Sequence, residues 1–441
     1  VNAHVRQGSP TVPPPTKPGV KPWRRMFRPP QLGEQSRKED QRMIDVASAV
    51  SDTPGCHGGH IFLDSAGSSL PPSQVIDTVV DHLRREAEVG GYRAAQEKAE
   101  EVESGYSVFA DLLGCAPEEI AFSDSATRSW LSAFQAIPLR EGDRILITEV
   151  EYAGNAIPIL RRAESVGASV DIVPSLPSGD VSLSALHELL DERVRLLSLV
   201  HAPTNGGLLT SSVRKAAEAA HQVGAYVLLD ACQSIGQVPC RADDLGVDFM
   251  TGTGRKWVRG PRGTGFLYAK RSTLHNLIRD NVDLRGGSWI TQDRVALRDD
   301  ARSFELWEHS VADRLGLVAA GRYIRELGMR EIHSAVQNIS GRLRDGLSQI
   351  RGVQVHDLGE RHSGIVSFSV EGTPASEVMS LLRRRNVTVT VSRAPSTLID
   401  MSRRGLEEVV RASPHYFVAP EQVDTTVEFV QDVLNGKAPA G

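Results

Sequence analysis

Asp230 and Lys256 stand 26 residues apart, and each occupies a place where its charge needs a reason. Ala225-Tyr226-Val227-Leu228-Leu229 is a continuous apolar run with no polar alternation, the pattern of a strand covered on both faces of a parallel sheet, and Asp230 closes it. A second short run, Val247-Asp248-Phe249-Met250, leads through Thr251-Gly252-Thr253-Gly254-Arg255 to Lys256, so the lysine is expected to leave the end of a strand rather than the face of a helix. Ligands of open α/β sheets gather at the carboxyl ends of the strands. An imine-forming amine beside a fixed negative charge suits carbonyl chemistry.

A lysine is a covalent catalyst only if it sheds its proton near neutral pH and condenses with a carbonyl, and pyridoxal phosphate is the usual aldehyde. That cofactor wants a carboxylate at its pyridine nitrogen, N–H groups and hydroxyls at its phosphate, and a flat neighbour for its ring. Ile120-Ala121-Phe122 reads as a short strand. The Ser123-Asp124-Ser125-Ala126-Thr127 turn after it opens an apolar helix through Trp130, Leu131 and Phe134, a helix start suited to an anion. Arg144-Ile145-Leu146-Ile147-Thr148 reads as another strand, and Glu149-Val150-Glu151-Tyr152 at its carboxyl end offers Tyr152 to cover the ring. Thr253 offers a further hydroxyl to the phosphate, and Gln233, three residues after the acid, can reach the ring oxygen.

Asp230-Ala231-Cys232-Gln233, Thr253-Gly254-Arg255-Lys256 and Gly260-Pro261-Arg262-Gly263-Thr264-Gly265, in that order, resemble the class V aminotransferase family of pyridoxal-phosphate enzymes, which includes cysteine desulfurases, isopenicillin N epimerase-like proteins and carbon–sulfur lyases. Leu63-Asp64-Ser65-Ala66-Gly67 resembles the family's amino-terminal signature and Val410-Arg411-Ala412-Ser413 its carboxy-terminal one, so the resemblance spans Ile61 to Leu434. It implies an α/β protein of fold type I: a large domain built on a mostly parallel seven-stranded sheet and a second, smaller α/β domain. It also implies roles. Lys256 would hold pyridoxal 5'-phosphate as an imine and carry the substrate's alpha proton, Asp230 would pair with the pyridinium, and Gln233 would bond the phenolic oxygen. Ala126 through its N–H, Thr127 and Thr253 would hold the phosphate, while Tyr152 falls where cysteine desulfurases place a histidine over the ring. Thr204 and Asn205 fall on a loop that touches the cofactor. Arg411 would clamp the substrate carboxylate, with Ala66 and Gly67 beside the substrate, and a homodimer is implied.

Two departures narrow the function. Cysteine desulfurases carry sulfur on a cysteine some way before the substrate arginine, and here no cysteine follows Cys240, so persulfide relay is not expected. Arg255 stands where desulfurases usually have histidine, and Phe304-Glu305-Leu306-Trp307-Glu308 lacks the Gly-Thr that often follows that Phe-Glu. The expected reaction is cleavage of a carbon–sulfur or other beta bond in an amino acid or amino-acid conjugate. Amine transfer and epimerisation are the alternatives within the family, and a non-catalytic scaffold is the alternative outside it. A nucleotide-binding oxidoreductase would need a glycine fingerprint that Leu63 to Gly67 does not provide.

Composition fits such an enzyme. The chain has 441 residues, 40% hydrophobic and 24% charged, enough for one large core and a smaller one. A formal charge of −5 argues against a nucleic-acid partner, and no apolar run approaches the roughly 20 residues that span a bilayer. Cys56, Cys115, Cys232 and Cys240 show no spacing suggestive of zinc or a disulfide framework, so no metal and a reducing cytoplasm are expected.

The domain organisation follows from these patterns. Residues 1 to 30 hold eight prolines and six Lys or Arg without an acid, and a structureless tail is expected over 1–58, either a genuine extension or an overextended start. The large domain is expected over 59–308 and the small one over 309–441, joined by a helix about 309–327 whose apolar stripe runs from Ser310 to Leu327. Gly364 to Phe368 and Val387 to Thr390 read as strands of the small domain.

Each residue has a plainer reading. An isolated lysine is usually solvated, and only the company of Asp230 and the glycine loop reverses that for Lys256. Ser125 reads as an ordinary helix cap, and Glu151, Asn155, His201, Arg393 and His415 read as packing or solvated residues near the site.

Overall fold

The computed structural model describes residues 44–436. Seven strands form the main sheet: β1 (Ile120–Ser123), β2 (Arg144–Thr148), β3 (Ser169–Val173), β4 (Val194–Val200), β5 (Tyr226–Asp230), β6 (Phe249–Thr253) and β7 (Gly265–Ala269). Their order is β1-β7-β6-β5-β4-β2-β3, and every pairing is parallel except those of β7 with β1 and β6. The continuous apolar run before Asp230 is explained by burial on both sides. Val227 and Leu229 enter one cluster with Leu197 and Met250, while Leu228 enters another with Ile145, Trp130 and Phe134. Each such side chain contributes about 1.5–3 kcal/mol when fully buried.

Helices α1 (Ser73–Val89), α2 (Ala99–Leu113), α3 (Ala126–Ala136), α4 (Ala153–Val166) and α5 (Val213–Gln222) cover the sheet or one another, and α6 (Val311–Leu327) packs on α1 and α2. After α7 (Met329–Ser348) a second, antiparallel sheet follows, built from β8 (Val353–Val355), β9 (Val366–Val370), β10 (Thr390–Arg393) and β11 (Glu408–Ala412) in the order β8-β9-β11-β10. The architecture is therefore α/β with a mostly parallel seven-stranded sheet and a smaller sheet beyond it. Arg411 lies on β11, a strand that the signature around it did not announce as one.

Two expectations differ in detail, and one element was not foreseen. The expected tail divides: residues 1–43 lie outside the described residues, whereas Val46–Ser51 is a helix capped by Asp45, with Ala49 in the core. The Thr53 hydroxyl there accepts from buried Arg259, which gives the segment a reason to be ordered. The stretch Val387 to Thr390 is split, because Val387–Thr388 pairs in parallel with Ile61–Phe62 while Thr390 begins β10. An unanticipated hairpin, Gly287–Thr291 with Arg294–Leu297, has every strand residue exposed or partly so, which leaves no buried face to imprint a period-two pattern.

Candidate active site

Four parallel strands end at one place: Thr148, Val200, Asp230 and Thr253 close β2, β4, β5 and β6. A cavity of about 250 Å³ opens there. All the residues expected at the site line it except Asn205. They are Ala66 and Gly67, Ala126 and Thr127, Tyr152 and Thr204, Asp230 and Gln233, Thr253, Lys256 and Arg411.

Asp230 is 9% exposed, so its charge must be met by donors. Oδ1 accepts the Cys232 N–H at 3.0 Å, and Oδ2 accepts from Asn155 Nδ2 at 2.9 Å. Lys256 follows β6 in a turn whose geometry two glycines permit. Gly254 N–H donates to Thr264 O at 3.1 Å, and a Cβ at Gly254 would lie 2.1 Å from Thr264 Oγ1. Gly265, across that turn, approaches the start of α3 so closely that its Cβ would sit 2.2 Å from the Ser125 carbonyl carbon. Arg259, three residues past the lysine, has φ 62°, a left-handed conformation held by guanidinium bonds to Leu70 O, the Tyr416 hydroxyl and the Thr53 hydroxyl.

Burial depresses the Lys256 amine below its ordinary 10.5, Arg255 and Arg411 push the same way, and Cys232 and Asp230 oppose. Lys256 is partly buried and lines the cavity. A buried amine that gives up its proton more readily than a solvated one is a competent nucleophile toward an aldehyde.

The other side chains are held from both ends. Gln233 Nε2 donates to Ala66 O at 3.1 Å and to Thr204 Oγ1 at 3.4 Å, and its Oε1 accepts from Trp257 Nε1 at 3.0 Å. Arg411 Nη1 donates to Thr204 Oγ1 at 2.7 Å and Nη2 to Asp64 Oδ1 at 3.1 Å. Burial pushes the Asp64 carboxyl up, against the lowering pull of Arg411. At the rim, Ala126 and Thr127 begin α3, where helix geometry leaves the first N–H groups without intrahelical partners. Ser125 Oγ accepts the Arg128 N–H at 3.1 Å, the cap that its type suggested. Tyr152 is half-exposed over the cavity.

Asn205 turns elsewhere: its Nδ2 donates to Asp400 Oδ2 at 2.7 Å, while Thr204 beside it faces the cavity. Asn155, which reads from the sequence as packing or solvated near the site, also lines the space, as do Cys232, Thr251 and Arg255, to which the sequence assigns no place in it. The signal for Asn155 was its spacing, since it sits three residues after Tyr152 in the first turn of α4 and so shares its face. Arg255 donates through Nη1 to Gly67 O, tying the lysine turn to the amino-terminal signature.

The Aminotransferase class-V model matches residues 61–426. The chain belongs to the class V aminotransferase family. "Probable cysteine desulfurase 2" of Mycobacterium leprae is 30% identical over 417 residues, covering 89% of this chain and 97% of that protein. "Cysteine desulfurase" of Haloferax volcanii is 27% identical over 395 residues, with 86% and 91% covered. Among solved structures, apo cysteine desulfurase from Thermococcus onnurineus NA1 superposes with a TM-score of 0.83 at 23% identity over 90% of this chain and 99% of that one. A complex between the cystine C–S lyase C-DES and its product cysteine persulfide gives 0.78 at 21% identity over 86% and 99%, and at such identities these structures speak to the fold.

This is a family of pyridoxal 5'-phosphate enzymes, and the class V residues present fit that group. A depressed lysine, a buried acid, an open helix start and a half-exposed ring surround one space, and the Thr251 hydroxyl is buried on its wall without a hydrogen-bond partner among the described residues. No cluster of His, Cys, Asp or Glu suited to a metal occurs among the described residues, and no helix there is long and apolar enough to cross a membrane.

Proposed function

We propose that this chain cleaves a carbon–sulfur or related beta bond in a cysteine-derived amino acid, using Lys256 as its covalent and proton-transferring base. When bound, pyridoxal phosphate supplies an aldehyde that condenses with amines and a cationic ring that draws electrons from the substrate's alpha carbon. Lys256 would hold the cofactor covalently and would take the substrate's alpha proton. Asp230 supplies the negative charge that keeps the ring nitrogen protonated, and Arg411 holds the substrate carboxylate. Ala126 N–H, Thr127 and Thr253 hold the phosphate, Tyr152 covers the ring, and Gln233 faces the phenolic oxygen. The same reading assigns 59–308 to the cofactor-binding domain and 309–441 to the smaller one.

The observation that carries this reading is the enclosure of Lys256, Asp230 and Arg411 by one cavity. Release of sulfur is favoured over its relay on the enzyme by the cysteines. Cys232 lines the cavity, but burial, with Asp230 adding to it, holds its thiol well above the ordinary range, which disfavours the thiolate that would attack sulfur. Amine transfer and epimerisation use the same lysine and remain the alternatives. A homodimer in the cytoplasm completes the proposal, supported by the apolar side chains that the hairpin exposes, Trp289 at 79% and Val295 at 61%. Light scattering that reports an active monomer would remove the dimer.

The direct test incubates the pure, cofactor-loaded protein with a panel of amino acids and sulfur-containing conjugates and identifies products by mass spectrometry. Pyruvate, ammonia and a released thiol from a cysteine conjugate are expected. A keto acid that retains the beta substituent, or inversion without cleavage, would point to the alternatives.

A further inference from the structure

Asn155 has two amide hydrogens and two buried carboxylates to receive them. Its Nδ2 lies 2.9 Å from Asp230 Oδ2 and 2.9 Å from Glu151 Oε1. Glu151 Oε1 also accepts the Tyr152 N–H at 3.0 Å, and its Oε2 lies 2.7 Å from Ser198 Oγ on β4. Glu151 is 2% exposed, Asn155 5% and Ser198 fully buried.

Carboxylate oxygens on both sides accept only, so the amide nitrogen rather than its oxygen must face them. The serine hydroxyl is adaptable: it donates to Oε2 when Glu151 is ionised and accepts from Oε2 when Glu151 carries a proton. In either state Oε1 keeps its two donors, and Asn155 stays where it is. Burial pushes Glu151 up to about 7, and the neighbouring Asp230 adds to the rise.

We propose that Glu151 and Asn155 are positioning residues for Asp230: Glu151 fixes the rotation of the Asn155 amide, whose second hydrogen then holds the Asp230 carboxylate at the cavity wall. The inference rests on the reading of Asp230 as the partner of the cofactor's ring nitrogen. Glu151 acts by geometry and not by charge.

The test uses full-length wild type, Glu151→Gln, Glu151→Ala and Asn155→Ala, each freed of cofactor and checked for native packing by near-ultraviolet circular dichroism. Pyridoxal phosphate is titrated in, with Kd read from quenching of tryptophan fluorescence and the pH midpoint read from the visible absorbance band. Glu151→Gln keeps an acceptor for Asn155 and gains a donor for Ser198, so its Kd stays within about twofold of wild type. Asn155→Ala and Glu151→Ala lose a charge-assisted bond or its support, and their Kd rises about tenfold with a displaced midpoint. Glu151→Gln as impaired as Glu151→Ala, or Asn155→Ala matching wild type in both readouts, overturns the proposal. A wild type that takes up no pyridoxal phosphate overturns the proposed function and this inference with it, whereas normal uptake with indifferent variants overturns this inference alone.

Discussion

Arg411 and Asp64 form an ion pair, Nη2 to Oδ1 at 3.1 Å, that joins the two ends of the matched family region across 347 residues of sequence. The pair leaves Arg411 Nε buried with no hydrogen-bond partner among the described residues. The same guanidinium lines the cavity, so Asp64 orients it from one side while the cavity leaves room for a substrate carboxylate on the other.

Replacing Arg411 by alanine is therefore expected to raise KM for an amino-acid substrate about tenfold or more, the cost of a hydrogen bond to a charged group. Steady-state kinetics on the substrate found by product analysis checks it. An unchanged KM would take Arg411 out of the substrate site.

Asp230→Asn should still take up the cofactor at saturating concentration, with a weakened Kd, while most turnover is lost, because the amide removes the fixed negative charge that favours a protonated ring. The comparison is cofactor content by absorbance against kcat. Near-normal turnover would contradict the pyridinium role.

Glu151 gives the protein a pH dependence of known sign. Its carboxyl is raised from 4.5 to about 7 by burial, and Asp230 is the charged group that adds to the shift. The folded state thus holds a proton that the unfolded chain releases earlier. The stabilisation is fully present below 4.5 and is lost as pH rises through about 7. Thermal melts of Glu151→Gln and wild type, both without cofactor, should diverge in favour of the glutamine variant as pH rises across that window. Parallel melting curves at all pH values would show that Glu151 is not titrating there.

Gly265→Ala should destabilise the protein by about 1–3 kcal/mol, since the new methyl would meet backbone and not a yielding side chain. Denaturant unfolding measures it. An unperturbed midpoint would mean that the approach of β7 to α3 is looser than the structure has it.

What could be read from the sequence divides along physical lines. Asp230 stood out because an acid closing a strand buried on both faces needs a buried partner, which outweighs the plainer reading of a turn cap, and Lys256 stood out through its company with Asp230 and its glycine neighbours. The pairing of Ile61 with Val387 had no local sign, because register across such a separation is written in tertiary contacts and not in any window of sequence. Glu151 and Asn155 read as packing or solvated because a polar residue at a helix start looks the same whether it is solvated or buried in a network. Asn205 was taken with Thr204 as one motif, and only the turn's geometry separates a side chain aimed at the cavity from one aimed at Asp400.

The function proposed above turns on the Lys256 amine as the group that binds pyridoxal phosphate covalently. Borohydride reduction of the loaded wild-type protein, followed by peptide mass spectrometry, tests it most directly. A visible colour before reduction, absent in Lys256→Ala, is expected, followed by a cofactor-derived mass on the peptide that carries Lys256. A colourless wild type after cofactor addition, or the mass on a different lysine, would contradict it.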